Sequence, residues 1–299
     1  MKEEINKTLI KKVVLRNIKD ELLNITRYRS ENNLVYLLKF KNADKVIKID
    51  TSKEHWKIEK EIYIYSLLKK ESIPVPNIIC YDLGFTVIPY QWYIMEKIGD
   101  INLNEIYARD KKGSKALFFE LGCIFAKIHN IHFSKQGEIS KEKIEEKSFY
   151  DIKRESLEKD ITNLKKKNLI SEEDCKKVLE IFETIPLNKE CSLCHEDYGP
   201  WQAIVNNNKI TGIIDWEWAR SSDPLYDFAK ARFNLALWSG NLDYFDKGYW
   251  SIRPMDDKGK LLLIKYMVVS ALSVLAFFAE NENNFNMANK KFKMLIDAV

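Results

Sequence analysis

Apolar positions early in this chain alternate with the two-residue period of a strand, whereas later ones recur every three or four residues, the period of a helix. Leu34–Phe40 (LVYLLKF) and Lys45–Asp50 (KVIKID) are β-rich runs separated by KNAD, which predicts a hairpin. Residues 54–70 predict a helix with Trp56, Ile58, Ile62, Tyr65 and Leu68 along one stripe. Pro74 and Pro76 close that region, because a residue before proline is pushed out of the helical well. Residues 78–80, 86–88 and 92–95 are further β runs, and residues 1–33 mix charge with short apolar runs before a turn.

Residues 96–100 (EKIGD) follow the last of these strands and precede helical sequence, so they predict the junction between a β-rich part and a helical one. Residues 116–129 (ALFFELGCIFAKIH) predict a helix, and His129 and His132 read as packed or capping histidines because no ligand cluster accompanies them. Residues 135–187, including KEKIEEK, are charge-rich and predicted mostly helical, with Ser171 ahead of three acids as an N-cap. Asp223 before Pro224 predicts another helix start, and the rest of the chain reads as helix. Its longest uncharged run, residues 266–279, is shorter than a bilayer requires and predicts a buried helix.

Candidate chemistry concentrates in residues 194–217, CHEDYGPWQAIVNNNKITGIIDWE. Two β-rich runs flank Asn206, Asn207 and Asn208, which predicts a hairpin. Asp197 and Gln202 stand five apart, like the Asp and Asn of a kinase loop written H-R-D-x-x-x-x-N, and Asp215 ends the second run. Two carboxylates and an amide brought to one place suit phosphoryl transfer, where an Asp orients a hydroxyl and oxygen ligands hold Mg²⁺. The plain alternative is a surface loop whose acids cap and solvate; the spacing, the hairpin and the terminal Asp together favour a phosphate-handling site. Lys48 shares a strand face with Val46, so a buried Val46 turns Lys48 away from water and towards a group such as phosphate. Glu61 either pairs with Lys48 or faces solvent near Lys57 and Lys60, and Asp227 either bonds the loop backbone or acts chemically.

Composition narrows the partners. A chain of 299 residues has room for one large domain or two lobes. Its formal charge of +4 is small for that length and no basic block interleaves with aromatics, so nucleic acid is not an expected partner. The amino terminus carries acids and no apolar core of a signal peptide, which with five cysteines suggests reduced thiols and a cytoplasmic address. Cys191-Ser-Leu-Cys194-His195 matches a haem-attachment pattern, but no export route accompanies it and no second pair exists for zinc. No membrane association is expected, and oligomeric state is left open.

Taken in order, VIKID, the helix with Glu61 followed by IPVPNII, YIMEKIGD, LGCIFAKIHNI, CHEDYGPWQAIV, GIIDWEWA and DPLYDFA resemble the aminoglycoside phosphotransferase family across most of the chain. The resemblance implies an α+β, protein-kinase-like bilobal fold, with a β-rich N-lobe over residues 1–97 and a mainly helical C-lobe over 98–299. It implies a Mg²⁺-dependent small-molecule kinase that takes ATP or GTP as donor and a small-molecule alcohol, first an aminoglycoside, as acceptor. Lys48 would contact the nucleotide phosphates, oriented by Glu61, and Glu96 and Ile98 would meet the purine edge. Asp197 would take the acceptor's proton, His195 would be structural, and Asp215 and Gln202 would hold the metal. Two departures stand out. Gln202 replaces the usual Asn, with the same amide oxygen on a longer stem. No glycine precedes Gly84, so the phosphate turn at 27–33 relies instead on side-chain donors from Ser30, Asn32 and Asn33. A polycationic acceptor would need acidic surroundings, for which Glu217, Glu280 and Glu282 are available. A metabolic alcohol kinase of the choline, ethanolamine, homoserine or sugar type is the alternative, followed by a catalytically weak nucleotide-binding protein and then by an interaction module.

Overall fold

The computed structural model describes residues 7–28, 30, 33–52, 56–141 and 143–299. They fall into two compact units, the first made of residues 1–101, 140–142 and 204–218 and the second of the remainder. The first unit therefore takes in residues 204–218 from far along the chain, which a single division at 97/98 does not include.

In chain order the first unit begins with α1 (Lys7–Asn17), β1 (Leu22–Arg27), β2 (Leu34–Phe40), β3 (Lys45–Asp50), α2 (Lys57–Lys70), β4 (Ile78–Asp82) and β5 (Gln91–Glu96). The strands form one antiparallel sheet in the order β1-β2-β3-β5-β4. Alternation decides which side chain goes where. Ile47 and Ile49 of β3 join Leu34, Tyr36, Trp92 and Ile94 in a core that Ile10, Val13 and Val14 of α1 cover. Val46 and Lys48 consequently point to the opposite face, where Tyr65 of α2 meets Tyr93 of β5 edge to face at 6.1 Å.

The hairpin predicted between β2 and β3 is present with the expected ends. The helix expected over 54–70 is described from Lys57 onward; residues 53–55 lie outside the described residues. No strand forms at 86–88. There Asp82 accepts from the amides of Gly84 (2.8 Å) and Thr86 (2.9 Å), a local side-chain turn that competes with ladder pairing.

The chain continues through β6 (Ile101–Asn102), α3 (Leu103–Arg109), α4 (Lys115–Ile128), β7 (Gly137–Ile139), β8 (Ile144–Glu146), α5 (Phe149–Lys166), α6 (Glu172–Glu183) and β9 (Ser192–Cys194). After a 3₁₀ turn at Pro200–Gln202 come β10 (Ala203–Asn206), β11 (Lys209–Ile213), β12 (Arg220–Ser222), α7 (Pro224–Trp238), α8 (Leu242–Trp250), α9 (Asp257–Phe277) and α10 (Glu282–Ile296). Asn207 and Asn208 both adopt left-handed backbone (φ 49° and 56°), so β10 and β11 join through the tight hairpin that the asparagines predict. The second unit is mainly helical, with a small sheet in the order β8-β7-β12-β9.

Of the KEKIEEK run, residues 144–146 form a strand instead of a helix: Ile144 pairs with Ile139 across the β7–β8 hairpin, and this pairing overrides the helical propensity of Glu and Lys. Ser171 and Asp223 are N-caps as predicted, accepting from Asp174 N at 3.1 Å and Leu225 N at 2.8 Å. Among the described residues α9 is the one helix long and apolar enough to cross a membrane by length and composition. It packs against α5, α6, α7 and α10 and buries Tyr266, Val268, Ala271 and Leu272, the all-round apolar surface of a central core helix.

Candidate active site

Lys48 lies mid-β3 and is 5 % exposed, its place fixed by the strand alternation that buries Val46 beside it. Its Nζ stands 2.7 Å from Glu61 Oε2 on α2, 2.7 Å from Asp215 Oδ1 and 3.5 Å from Glu217 Oε2, all within the first unit. Of the two readings of Glu61, the paired one is what the fold contains. Burial alone would depress the Lys48 ammonium, but Asp215, Glu61 and Glu217 hold it well above its ordinary value. Burial pushes the Glu61 carboxyl up to about 7 against the pull of Lys48.

Glu61 also accepts from the Trp216 amide at 2.9 Å, and the Asp215 amide donates to Tyr65 Oη at 3.3 Å. The α2 helix thus grips the backbone just past β11, where Asp215 is held at a left-handed φ of 72° with its side chain 42 % exposed. Such a conformation in a non-glycine residue is costly and persists only where its surroundings over-determine it.

Glu217 is a correction. It was a candidate for an acidic acceptor wall, yet it is buried, faces Lys48 and accepts from Asn33 Nδ2 at 2.8 Å. Asn33, expected as a phosphate donor, therefore spends its amide on Glu217 and ties the end of the 27–33 turn to β11's exit. Ser30 is half-buried in that turn, whereas Arg29, Glu31 and Asn32 lie outside the described residues. Glu96 ends β5, its amide donating to Asn77 O (3.0 Å) and its carboxylate accepting from Asn77 Nδ2 (2.6 Å). The Ile98 carbonyl accepts from Thr211 Oγ1 at 2.7 Å, which fastens this segment to β11. Glu280, another candidate for the acidic wall, is paired with Lys167.

In the second unit, Asp227 of α7 organises the loop after β9. Its two oxygens accept from the amides of His195 (2.7 Å) and Glu196 (2.8 Å). Asp227 Oδ2 also lies 3.1 Å from His129 Nε2, and His129 Nδ1 lies 2.8 Å from Tyr249 Oη. Burial works to raise the Asp227 carboxyl, but His129, His195 and the loop amides hold it below its ordinary value. The backbone-bonding reading of Asp227 is thus the observed one, and His129 is a fully buried packing residue. Cys194 brings a third ligand-type atom within 4.8 Å of these two, but burial keeps its thiol well above the ordinary value, and the group reads as a hydrogen-bonded core.

Beyond that anchor the loop turns sharply. Glu196 is buried with a left-handed φ of 66°, its carboxylate 2.6 Å from Lys153 Nζ on α5 and its carbonyl bonded to Lys230 Nζ on α7. Asp197 follows with its side chain 52 % exposed and Oδ1 4.0 Å from Lys230 Nζ. Gln202 is buried and its Oε1 accepts from Gly199 N at 2.5 Å.

The two units thus contain a strand lysine clamped by a helix glutamate and an aspartate presented by a braced loop, each described within its own unit. The sequence matches the phosphotransferase enzyme family over residues 24–251. This chain belongs to that family. Among curated proteins none matches. Solved structures share the fold: a thermostable mutant of aminoglycoside phosphotransferase APH(4)-Ia, in ternary complex with AMP-PNP and hygromycin B, has TM-score 0.74 at 15% identity, covering 98% of this chain and 98% of that one. ADP-bound APH(2'')-Ib has TM-score 0.64 at 17% identity (98% and 97% covered), and APH(2'')-IIa with gentamicin has 0.65 at 14% identity (97% and 96%).

For this phosphotransferase, a hard cation such as Mg²⁺ would find an oxygen donor in the Asp215 carboxylate of the first unit. Gln202 Oε1, in the second unit, takes one hydrogen bond from Gly199 N and has a second lone pair. Sequence reasoning missed Lys153 and Lys230, and it gave Asn33 a phosphate-donor role in place of its bond to Glu217. A signal existed for Lys230 alone, three residues after Asp227 and therefore on the same helix face.

Proposed function

We propose that this phosphotransferase moves the γ-phosphate of ATP or GTP, with Mg²⁺ bound, to a hydroxyl of a small molecule, and that an aminoglycoside is the first acceptor to test. The observation that carries the reading is the buried Lys48 with Glu61 and Asp215 each 2.7 Å from its ammonium. A buried cation held by carboxylates is poised to receive a phosphate anion, since phosphate oxygens are acceptors of the same kind.

In this reading Lys48 binds the nucleotide phosphates and Glu61 keeps its ammonium in place, while Ser30 and the backbone at Glu96 and Ile98 meet the rest of the nucleotide. Asp215 and Gln202 would each offer Mg²⁺ an oxygen, and the ion would supply charge that offsets the phosphate oxygens. Asp197 orients the acceptor hydroxyl. As the new O–P bond forms, the P–O bond to the nucleoside diphosphate breaks, its electron pair leaves with the diphosphate, and the hydroxyl proton passes to the Asp197 carboxylate. Positioning and charge stabilisation do most of the work.

The aminoglycoside choice is supported by relatives of the same fold solved with hygromycin B and gentamicin. The test is a nucleotide-consumption screen with ATP and with GTP against aminoglycosides, choline, ethanolamine, homoserine and simple sugars. Acceptor-dependent consumption that disappears in Asp197→Ala, with the unfolding midpoint unchanged, is the expected result. Activity confined to a small alcohol would replace the aminoglycoside with a metabolic acceptor. One observation favours a weaker enzyme: the Gln202 oxygen is drawn to Gly199 N. Under that second reading nucleotide binds but no acceptor stimulates its turnover.

A further inference from the structure

The loop carrying Asp197 is flanked by two lysines with different employment. Lys153 Nζ lies 2.6 Å from Glu196 Oε2, both groups are buried, and its ammonium also sits 4.2 Å above the Tyr226 ring. The buried charge of Glu196 is therefore matched by Lys153. Lys230 adds a smaller attraction to that carboxylate, and its bond goes to the backbone instead. It rises from α7 one turn after Asp227, donates to the Glu196 carbonyl and extends its ammonium to 4.0 Å from Asp197 Oδ1.

The side chain of Lys230 is 20 % exposed and that of Asp197 52 %, so neither is sealed from solvent. Around Lys230 stand Glu196 and Asp197 from the loop, Asp160 from α5 and Tyr226 from α7, acids that Lys153, Lys159 and Arg220 also face. One bond to a backbone carbonyl fixes the stem and leaves an ammonium, a three-donor group, aimed at the edge of the aspartate.

We propose that Lys230 is a catalytic residue: its ammonium donates to a non-bridging oxygen of the phosphoryl group as that group passes to the hydroxyl held by Asp197. The inference rests on the phosphotransfer reading above. The bonds made and broken are those already given; Lys230 keeps its proton throughout and contributes charge stabilisation where negative charge is shared between donor and acceptor oxygens. A lysine serves here as a compact point charge on a flexible stem that can follow the moving group.

The test needs no known acceptor, because water can take the acceptor's place. Mg-ATP turnover to water is measured for the full-length wild type, Lys230→Met and Lys230→Arg, with thermal unfolding of each. Removing one preorganised donor from such a transition state lowers kcat by about 10²-fold or more. The expected result is a kcat loss of about that size in Lys230→Met with KM for ATP within about twofold, and recovery of at least about tenfold in Lys230→Arg. Lys230→Met turning over ATP at the wild-type rate overturns the assignment and leaves the phosphotransfer reading standing. An arginine variant as poor as the methionine one, with both unfolding early, overturns it in favour of a loop-bracing role. A wild type that transfers phosphate from neither ATP nor GTP, to water or to any acceptor of the screen above, removes the phosphotransfer reading itself, and this assignment with it.

Discussion

At the scale of single residues, Lys48 is the hinge of the first unit's electrostatics. Removing it leaves Glu61, Asp215 and Glu217 facing one another without a cation. Breaking a buried pair from one side costs about 3–5 kcal/mol, and because Asp215 reaches solvent and Glu61 readily takes a proton, Lys48→Met should fall near 3 kcal/mol. Glu61→Gln differs in kind: it keeps the oxygen that the Trp216 amide needs and leaves Lys48 with Asp215 and Glu217, but it turns an amide donor towards the ammonium, so it should cost about 1–2 kcal/mol. Urea denaturation midpoints of the two variants check the contrast, and equal losses would mean the cluster is held by packing rather than by charge. Lys48, Glu61 and Asp215 were legible because each sits inside a short run with its own local signature. Glu217 and Asn33 were not, since their bond joins residues 184 positions apart and exists only once β11 has been drawn into the first unit.

At the scale of elements, the second unit depends on how closely α4 and α8 approach. A Cβ on Gly122 would run into the carbonyl of Phe245, and one on Gly248 into the carbonyl of Phe119, so each helix occupies the space left by the other's glycine. Backbone, unlike a flexible side chain, cannot step aside cheaply. Gly122→Ala and Gly248→Ala should each destabilise by about 2–3 kcal/mol, the upper range for overpacking, outweighing the better helix propensity of alanine. Thermal unfolding reads this directly, and an unchanged or higher midpoint would show that the helices slide apart without loss. Elements whose burial follows their own periodicity were readable: β2, β3, α4 and the asparagine hairpin. Residues 144–146 and 86–88 depart from expectation for the same reason from opposite sides. A hairpin partner made strand of a helical composition in the first case, and a side-chain turn at Asp82 unmade a strand in the second.

At the scale of the whole molecule, stability against pH depends on two groups of carboxylates pulling in opposite directions. Asp160, Asp223 and Asp246 are raised, chiefly by burial, so the stability they carry is present at low pH and fades as pH rises through their folded values. Asp227 and Glu196 are lowered in spite of burial, by His129 and by Lys153 respectively, so their contribution is present above the ordinary carboxylate range and fades as pH falls. Glu196 isolates the second effect, because it is buried and its partner is known. With a folded value depressed below the ordinary 4.5, the unfolded chain binds the proton first on acidification, and folding loses ground from there downward. Glu196→Gln removes that response while keeping the shape, leaving Lys153 buried without its counter-charge. The variant should be less stable than wild type by about 3 kcal/mol at neutral pH, a gap constant above about pH 5 that closes as pH falls below the ordinary glutamate value. Urea midpoints for both proteins across pH 3.5–7.5 on the titration scale of a glutamate (about 4.3 unperturbed) decide it. A gap that stays constant through the acid range would mean that Lys153 does not hold the Glu196 charge, and that the bend presenting Asp197 rests on Asp227 and Lys230 alone.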